Sequence, residues 1–123
     1  MNLCVIPARG GSKRIPNKNI KTFCGKPIIA WSIQVALASK CFDKVIVSTD
    51  NKKIGNLAKN YGADVPFVRP KKLSDDYAGT NPVISHAIKW VTKNYEKPLI
   101  VCCIYATAPF IRLKDLKDGL KIL

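Results

Sequence analysis

"LCVIPARGGSKRIPNKN", Leu3 to Asn19, sets a short apolar run against a loop carrying four cations (Arg9, Lys13, Arg14, Lys18), two glycines and no acid. The opening "LCVIP" is continuously apolar and ends in proline, which predicts a strand buried on both faces, as in a parallel sheet. In the loop, Gly10 and Gly11 allow the backbone to turn tightly and aim successive N–H groups at an anion, while Lys13 and Lys18 add full charges around it. Phosphate is the natural guest of such a nest, and the loop reads as a triphosphate cradle. Seven cations precede the first acid of the chain, Asp43, so nothing close in sequence pairs with them.

The loop matches neither G-x-x-x-x-G-K-[ST] nor G-x-G-x-x-G, which leaves the P-loop and the dinucleotide fingerprint unsupported. At 123 residues, residues 1–123 are expected to form one domain. A composition 47% hydrophobic and 24% charged belongs to a soluble globular chain. No apolar run approaches the ~18–20 residues that span a bilayer, and the start has no cationic lead-in, so a cytoplasmic location is expected. Five cysteines, an odd number without C-x-x-C spacing, predict reduced and mostly buried thiols rather than a zinc site. A net charge of +13 calls for an anionic partner: nucleic acid, a membrane surface or a small polyphosphate. Charge alone does not choose among them. No nucleic-acid signature accompanies it, neither an RNP sequence, finger spacing nor a basic helix with heptads.

Along the chain, "PIIAWSIQVALASK" opens with Pro27 and carries few polar residues, which predicts a largely buried helix. "KVIVSTD" (44–50) predicts a second buried strand, with Ser48, Thr49 or Asp50 available to cap the next helix. Ile54, Leu57, Ala58 and Tyr61 have helical spacing and Gly62 sits at the C-cap position. "ADVPFV" (63–68) predicts a short third strand demoted toward an edge by proline, and 69–81 a polar loop. Ile84, Ala87, Ile88, Val91 and Tyr95 mark a third helix, "LIVCCIYA" (99–106) the longest buried strand, and a last helix begins near Leu113. The alternation predicts an α/β fold, an open, mostly parallel sheet with helices on both faces, whose ligands bind at the carboxyl ends of the strands.

Four stretches, "IPARGGSKRIPNKNIKTFCGKPIIAWSI", "VIVSTD", "VPFVRPKKLSDDYAGT" and "VCCIYATAPF", resemble in order the successive motifs of the acylneuraminate (CMP-sugar) cytidylyltransferases. The last two are most similar to the branch acting on pseudaminic acid. The resemblance covers nearly all 123 residues and corresponds to the N-terminal half of that family. It implies a Rossmann-like, GT-A-like nucleotidyltransferase domain. By the same resemblance, Arg9, Ser12, Lys13 and Lys18 embrace the CTP phosphates, with Ala8, Gly10 and Gly11 in the same loop. Arg9 and Lys18 are the catalytic candidates, Lys18 stabilising charge at the reacting α-phosphate, and Asn19 supports the loop. Arg69, Ala78 and Thr80 correspond to contacts with the cytidine half, and Thr107 faces the site from a strand end. Tyr105 stands where many sialic acid synthetases have glutamine.

The implied reaction activates a 2-keto sugar acid, pseudaminic acid before sialic or legionaminic acid, with CTP to give the CMP-sugar and pyrophosphate, for surface glycan or flagellin glycosylation. Mg²⁺ is implied as cofactor, with its aspartate ligands and a homodimerisation segment in a second half that residues 1–123 do not include. Asp50, Asp75 and Asp76 do not match the metal positions and are expected to be structural, Asp50 as a helix cap. Residues 1–123 alone are therefore expected to be truncated and inactive. From a different class stands a catalytically inactive nucleotide-binding module. His86 is expected to be structural or exposed, Trp31 and Trp90 to be core, and Cys24 to be a turn residue.

Overall fold

The computed structural model describes residues 1–10, 18–74, 79–107 and 111–122, with Lys18 described through its backbone only. Its centre is a three-stranded parallel sheet. β1 (Asn2–Pro7) lies between β4 (Lys44–Ser48) and β5 (Ile100–Cys103), in the order β4-β1-β5. Between β1 and β4 the chain makes a two-residue hairpin, β2 (Thr22–Phe23) with β3 (Lys26–Pro27), and then α1 (Ile28–Ser39). The remaining helices are α2 (Lys52–Asn60), α3 (Thr80–Asn94) and α4 (Leu113–Ile122).

Period-two alternation in β1 divides the core. Cys4, Ile6 and Ala8 face α1 and α2, joining Ile29, Ile33, Ala36, Ile54 and Ala58. Leu3 and Val5 face the other way and meet Ala87 and Val91 of α3. Both sheet faces are thus covered, which is why β1 and β4 are apolar at consecutive positions. The predicted open sheet with helices on both faces is the architecture observed.

Three expectations change. The predicted strand over 63–68 shrinks to one parallel bridge, Ile46 with Asp64; Pro66, two residues on, has no N–H to extend a ladder. The apolar run 99–106 yields a strand only over Ile100–Cys103, and it lies at the sheet edge, with Leu99 86% exposed and Cys103 exposed. The cap of α2 is Asn51, whose Oδ1 accepts from Ile54 N at 3.0 Å, and not Ser48, Thr49 or Asp50.

Turn and cap glycines fall where expected, while the tryptophans and the thiols do not. Cys24 and Gly25 form the β2–β3 turn with φ of +48° and +87°, a conformation glycine adopts freely and cysteine only under constraint. Gly62, at φ +98°, closes α2 as its C-terminal glycine. Trp31 and Trp90 are half-buried rather than core. Trp31 donates Nε1–H to the Phe23 carbonyl at 2.7 Å, tying the hairpin to α1. All five cysteines are free, but they are not mostly buried as expected: only Cys4 and Cys41 are, Cys102 is half-buried, and Cys24 in the hairpin turn and Cys103 on the edge strand are exposed. Among the described residues no helix is long and apolar enough to cross a membrane.

Candidate functional site

The carboxyl ends of β1, β4 and β5 open on one edge of the sheet, as strand direction requires. There Arg9, Asn19, Arg69, Thr80 and Thr107 line a single cleft of about 150 Å³, with Pro7, Gly79, Val83, Tyr105 and Ala106 completing its wall. Five residues singled out from three separated stretches of sequence therefore share one cavity. Ala8 instead points into the core, fully buried. Gly11, Ser12, Lys13, Ala78, Asp75 and Asp76 lie outside the described residues, as does the side chain of Lys18.

The segment after β4 is the hub of the site. Ser48 O accepts from Ala8 N at 2.9 Å, continuing the parallel pairing one residue past β1. The same carbonyl accepts from Arg69 Nη2 at 2.7 Å, while Arg69 Nε donates to Ser48 Oγ at 3.2 Å and Arg69 Nη1 to Leu73 O at 3.3 Å. Arg69 N donates to Thr49 O at 2.9 Å. The loop bearing Arg69 is thereby lashed to the strand end, and Arg69, only 5% exposed, holds its charge among neutral acceptors. Burial depresses its pKa, Asp50 opposes that shift, and Arg9 adds to it.

On the β1 side, Asn19 Nδ2 donates to Arg9 O at 2.7 Å, fixing the return of the basic loop to its start. Gly10 lies flat against Asn51: a β-carbon there would stand 2.6 Å from Asn51 Cβ, closer than packing permits. The Gly10 N–H is directed at Asp50 Oδ1, 2.9 Å away, instead of outward as the first donor of the nest. An acid far away in sequence has folded onto the loop.

The third wall comes from the end of β5. Ser32, fully buried on α1, donates to Tyr105 O at 2.8 Å and reaches Ala106 O at 3.5 Å. Across the cleft mouth the Tyr105 hydroxyl and Thr80 Oγ1 are 3.3 Å apart. Sequence reasoning did not assign Ser32 a function, although a lone hydroxyl within "IIAWSIQV" was its signal. Asp50 was misassigned, because a cap candidate sits beside it.

His86, on α3 behind the cleft, packs edge-on against Phe67 with ring centroids 4.7 Å apart, and its Nδ1 is buried without a hydrogen-bond partner. Burial first, then the charges of Arg69, Lys72 and Lys89, lower its pKa, so the ring is neutral and structural. A larger hollow of about 670 Å³ lies between α2 and residues 65–68 and contains none of the predicted nucleotide contacts. Among the described residues no three potential ligands from His, Cys, Asp and Glu gather in one place.

A parallel sheet covered by helices on both faces, with a polar cleft at its carboxyl edge, is an α/β fold of the Rossmann-like nucleotidyltransferase type. The chain belongs to the cytidylyltransferase family, whose pattern residues 3–121 match. It is 53% identical over 118 residues to pseudaminic acid cytidylyltransferase of Campylobacter jejuni, covering 96% of this chain and 51% of that protein. It is 39% identical to CMP-N,N'-diacetyllegionaminic acid synthase of Legionella pneumophila, covering 98% of this chain and 52% of that one. Among solved structures, CMP:2-keto-3-deoxy-manno-octonic acid synthetase complexed with CTP superimposes with a TM-score of 0.77 at 27% identity, over 98% of this chain and 46% of the other. The chain thus spans about half the length of these relatives.

Proposed function

We propose that residues 1–123 are the CTP-binding part of a cytidylyltransferase that activates a nonulosonic acid, with pseudaminic acid as acceptor. The observation that carries this reading is the convergence of Arg9, Asn19, Arg69, Thr80 and Thr107 on one cleft at the carboxyl edge of the sheet. The cleft is smaller than the ~300 Å³ and upward of typical ligand pockets. It suits the cytidine half of the nucleotide, leaving the polyphosphate to the adjoining basic loop.

In the reaction, the anomeric hydroxyl of the 2-keto sugar acid attacks the α-phosphorus of CTP in line. The phosphorus–oxygen bond to the β-phosphate breaks, pyrophosphate leaves, and the hydroxyl proton passes to solvent or base. Such transfer is catalysed by positioning and by neutralising charge spread over phosphate oxygens. Arg9, Ser12, Lys13 and Lys18 would hold the phosphates, Lys18 at the α-phosphate, with Gly10 and Gly11 shaping the turn. Arg69, Ala78 and Thr80 would take the cytidine half and Thr107 the floor. Arg69 suits this because its three bonds hold the guanidinium in one orientation. Mg²⁺ ligands and the homodimer contacts are placed outside residues 1–123 in this reading, and the acceptor contacts largely so.

The 53% identity to a pseudaminic acid enzyme, against 39% to a legionaminic acid enzyme, favours the former acceptor. Calorimetric titration tests the nucleotide reading: CTP should bind in preference to ATP, with modest loss of affinity as salt rises. Equal affinity for both, or the steep salt dependence of a nucleic-acid binder, would contradict it. CMP-sugar formation is expected from the full-length protein and not from residues 1–123 alone.

A further inference from the structure

We infer that Asp50 is a positioning residue: it anchors the root of the basic loop to the end of β4, and the loop's capacity to grip polyphosphate depends on that anchor. The nucleotide half of this inference rests on the function proposed above; the anchoring half does not.

Two bonds tie residues 8–10 to the segment 48–51. One is the backbone bond from Ala8 N to Ser48 O, 2.9 Å, which any residues would make. The other, from Gly10 N to Asp50 Oδ1 at 2.9 Å, requires a side-chain acceptor at position 50. Asp50 is excused from capping α2, because Asn51 Oδ1 takes Ile54 N. Asn51 meanwhile presents its Cβ to Gly10 so closely that only glycine fits, which puts the Gly10 amide within reach of the carboxylate. Gly10, Asn51 and Asp50 thus form one clasp, in which the close approach demands glycine at position 10 and the bond to its amide demands a side-chain acceptor at position 50.

The clasp has an electrostatic side. Asp50 brings negative charge to the end of the cleft where Arg9 and the buried Arg69 approach each other. A carboxylate bound to a loop amide holds the loop in place without filling the cleft, because Asp50 stands outside the wall formed by Arg9, Asn19 and Arg69. An N–H bonded to an ionised acceptor is also held more tightly than one bonded to a neutral carbonyl.

Two variants separate anchor from charge. Asp50→Ala removes both; Asp50→Asn keeps an oxygen able to accept from Gly10 N and removes the charge. In the nucleotide-free protein, Asp50→Ala should speed hydrogen exchange at the Gly10 amide at least tenfold, with core amides of β1 unchanged, and Asp50→Asn should retain most of the protection. With CTP as the probe, Asp50→Ala should bind at least tenfold more weakly, and Asp50→Asn within about threefold of the parent. Unchanged Gly10 exchange in Asp50→Ala overturns the anchor, and unchanged CTP affinity alongside faster exchange overturns its role in binding. Failure of the parent protein to bind CTP at all overturns the proposed function and the binding half together, and leaves the anchor decided by exchange alone.

Discussion

Ser32, fully buried in the first helix, donates its hydroxyl to the carbonyl of Tyr105 at 2.8 Å, so the helix that comes after the basic loop also sets the far wall of the cleft. The bond spans 73 positions of chain and joins the two ends of the candidate site. Ser32→Ala would leave the part-buried Tyr105 carbonyl without this donor, and a stability loss of about 0.5–1.5 kcal/mol is expected. Chemical denaturation measures the cost, and CTP affinity should fall with it, because Tyr105 and Thr107 lose their support. A variant as stable as the parent would remove Ser32 from the account.

Arg69→Lys keeps a positive charge and loses the planar fork that reaches Ser48 Oγ, Ser48 O and Leu73 O together. Destabilisation of about 1.5–3 kcal/mol is expected, the range for hydrogen bonds to a charged group. The same variant should weaken CTP binding more than ATP binding, because Arg69 is assigned to the cytidine half. Equal stability of parent and variant in urea would count against the lashing role given to this side chain.

His86 links stability to pH. Its folded pKa lies below the ordinary 6.5, from burial and from Arg69, Lys72 and Lys89, so as pH falls the unfolded chain binds the proton first. The contribution is whole above pH 6.5 and is lost as pH falls from there toward the folded pKa. Urea midpoints compared near neutrality and at mildly acid pH should therefore drop further in the parent than in His86→Phe. Parallel drops in the two proteins would assign the acid sensitivity to other groups.

Thiol labelling should be ordered by environment. Cys24 is exposed in the hairpin turn. Cys103 is exposed too, yet partial desolvation and then Cys102 raise its thiol pKa, and Cys102 is raised by burial and by Cys41. Cys4 is fully buried, and its thiol is raised furthest into the un-ionised state. Near neutral pH a disulfide reagent should modify Cys24 first, and Cys24→Ser should abolish the fast phase. A fast phase surviving in Cys24→Ser would contradict this ordering.

The strands β1 and β4 were legible because burial on both faces leaves an unmistakable apolar run, as at Leu3–Ile6 and Val45–Val47. The same rule misled at Leu99–Ala106. Eight consecutive residues with little polarity look buried, but among the described residues β5 pairs with β1 alone, whereas β4, the other outer strand, is flanked by Asp64 through the bridge to Ile46. Residues 63–68 failed for a local reason: beyond Asp64 no ladder continues, and Pro66 has no amide to donate. The site was legible wherever a residue carries its chemistry outward, as with Arg9, Asn19, Arg69, Thr80 and Thr107. It was illegible wherever function lies in support. Asp50 and Ser32 each act through a partner distant in sequence, and no local pattern announces a hydrogen bond across 40 or 73 positions.

The central claim is that a cytidine nucleotide sits at the carboxyl edge of the sheet between the basic loop and the Tyr105 wall. Titration of the ¹⁵N-labelled chain with CTP tests it directly. Saturable shifts are predicted at the amides of Arg9, Gly10, Asn19, Thr80 and Thr107, with Lys44, Tyr95 and Glu96 at the opposite end of the sheet unmoved. Shifts concentrated at that opposite end, or none at saturating CTP, would contradict it.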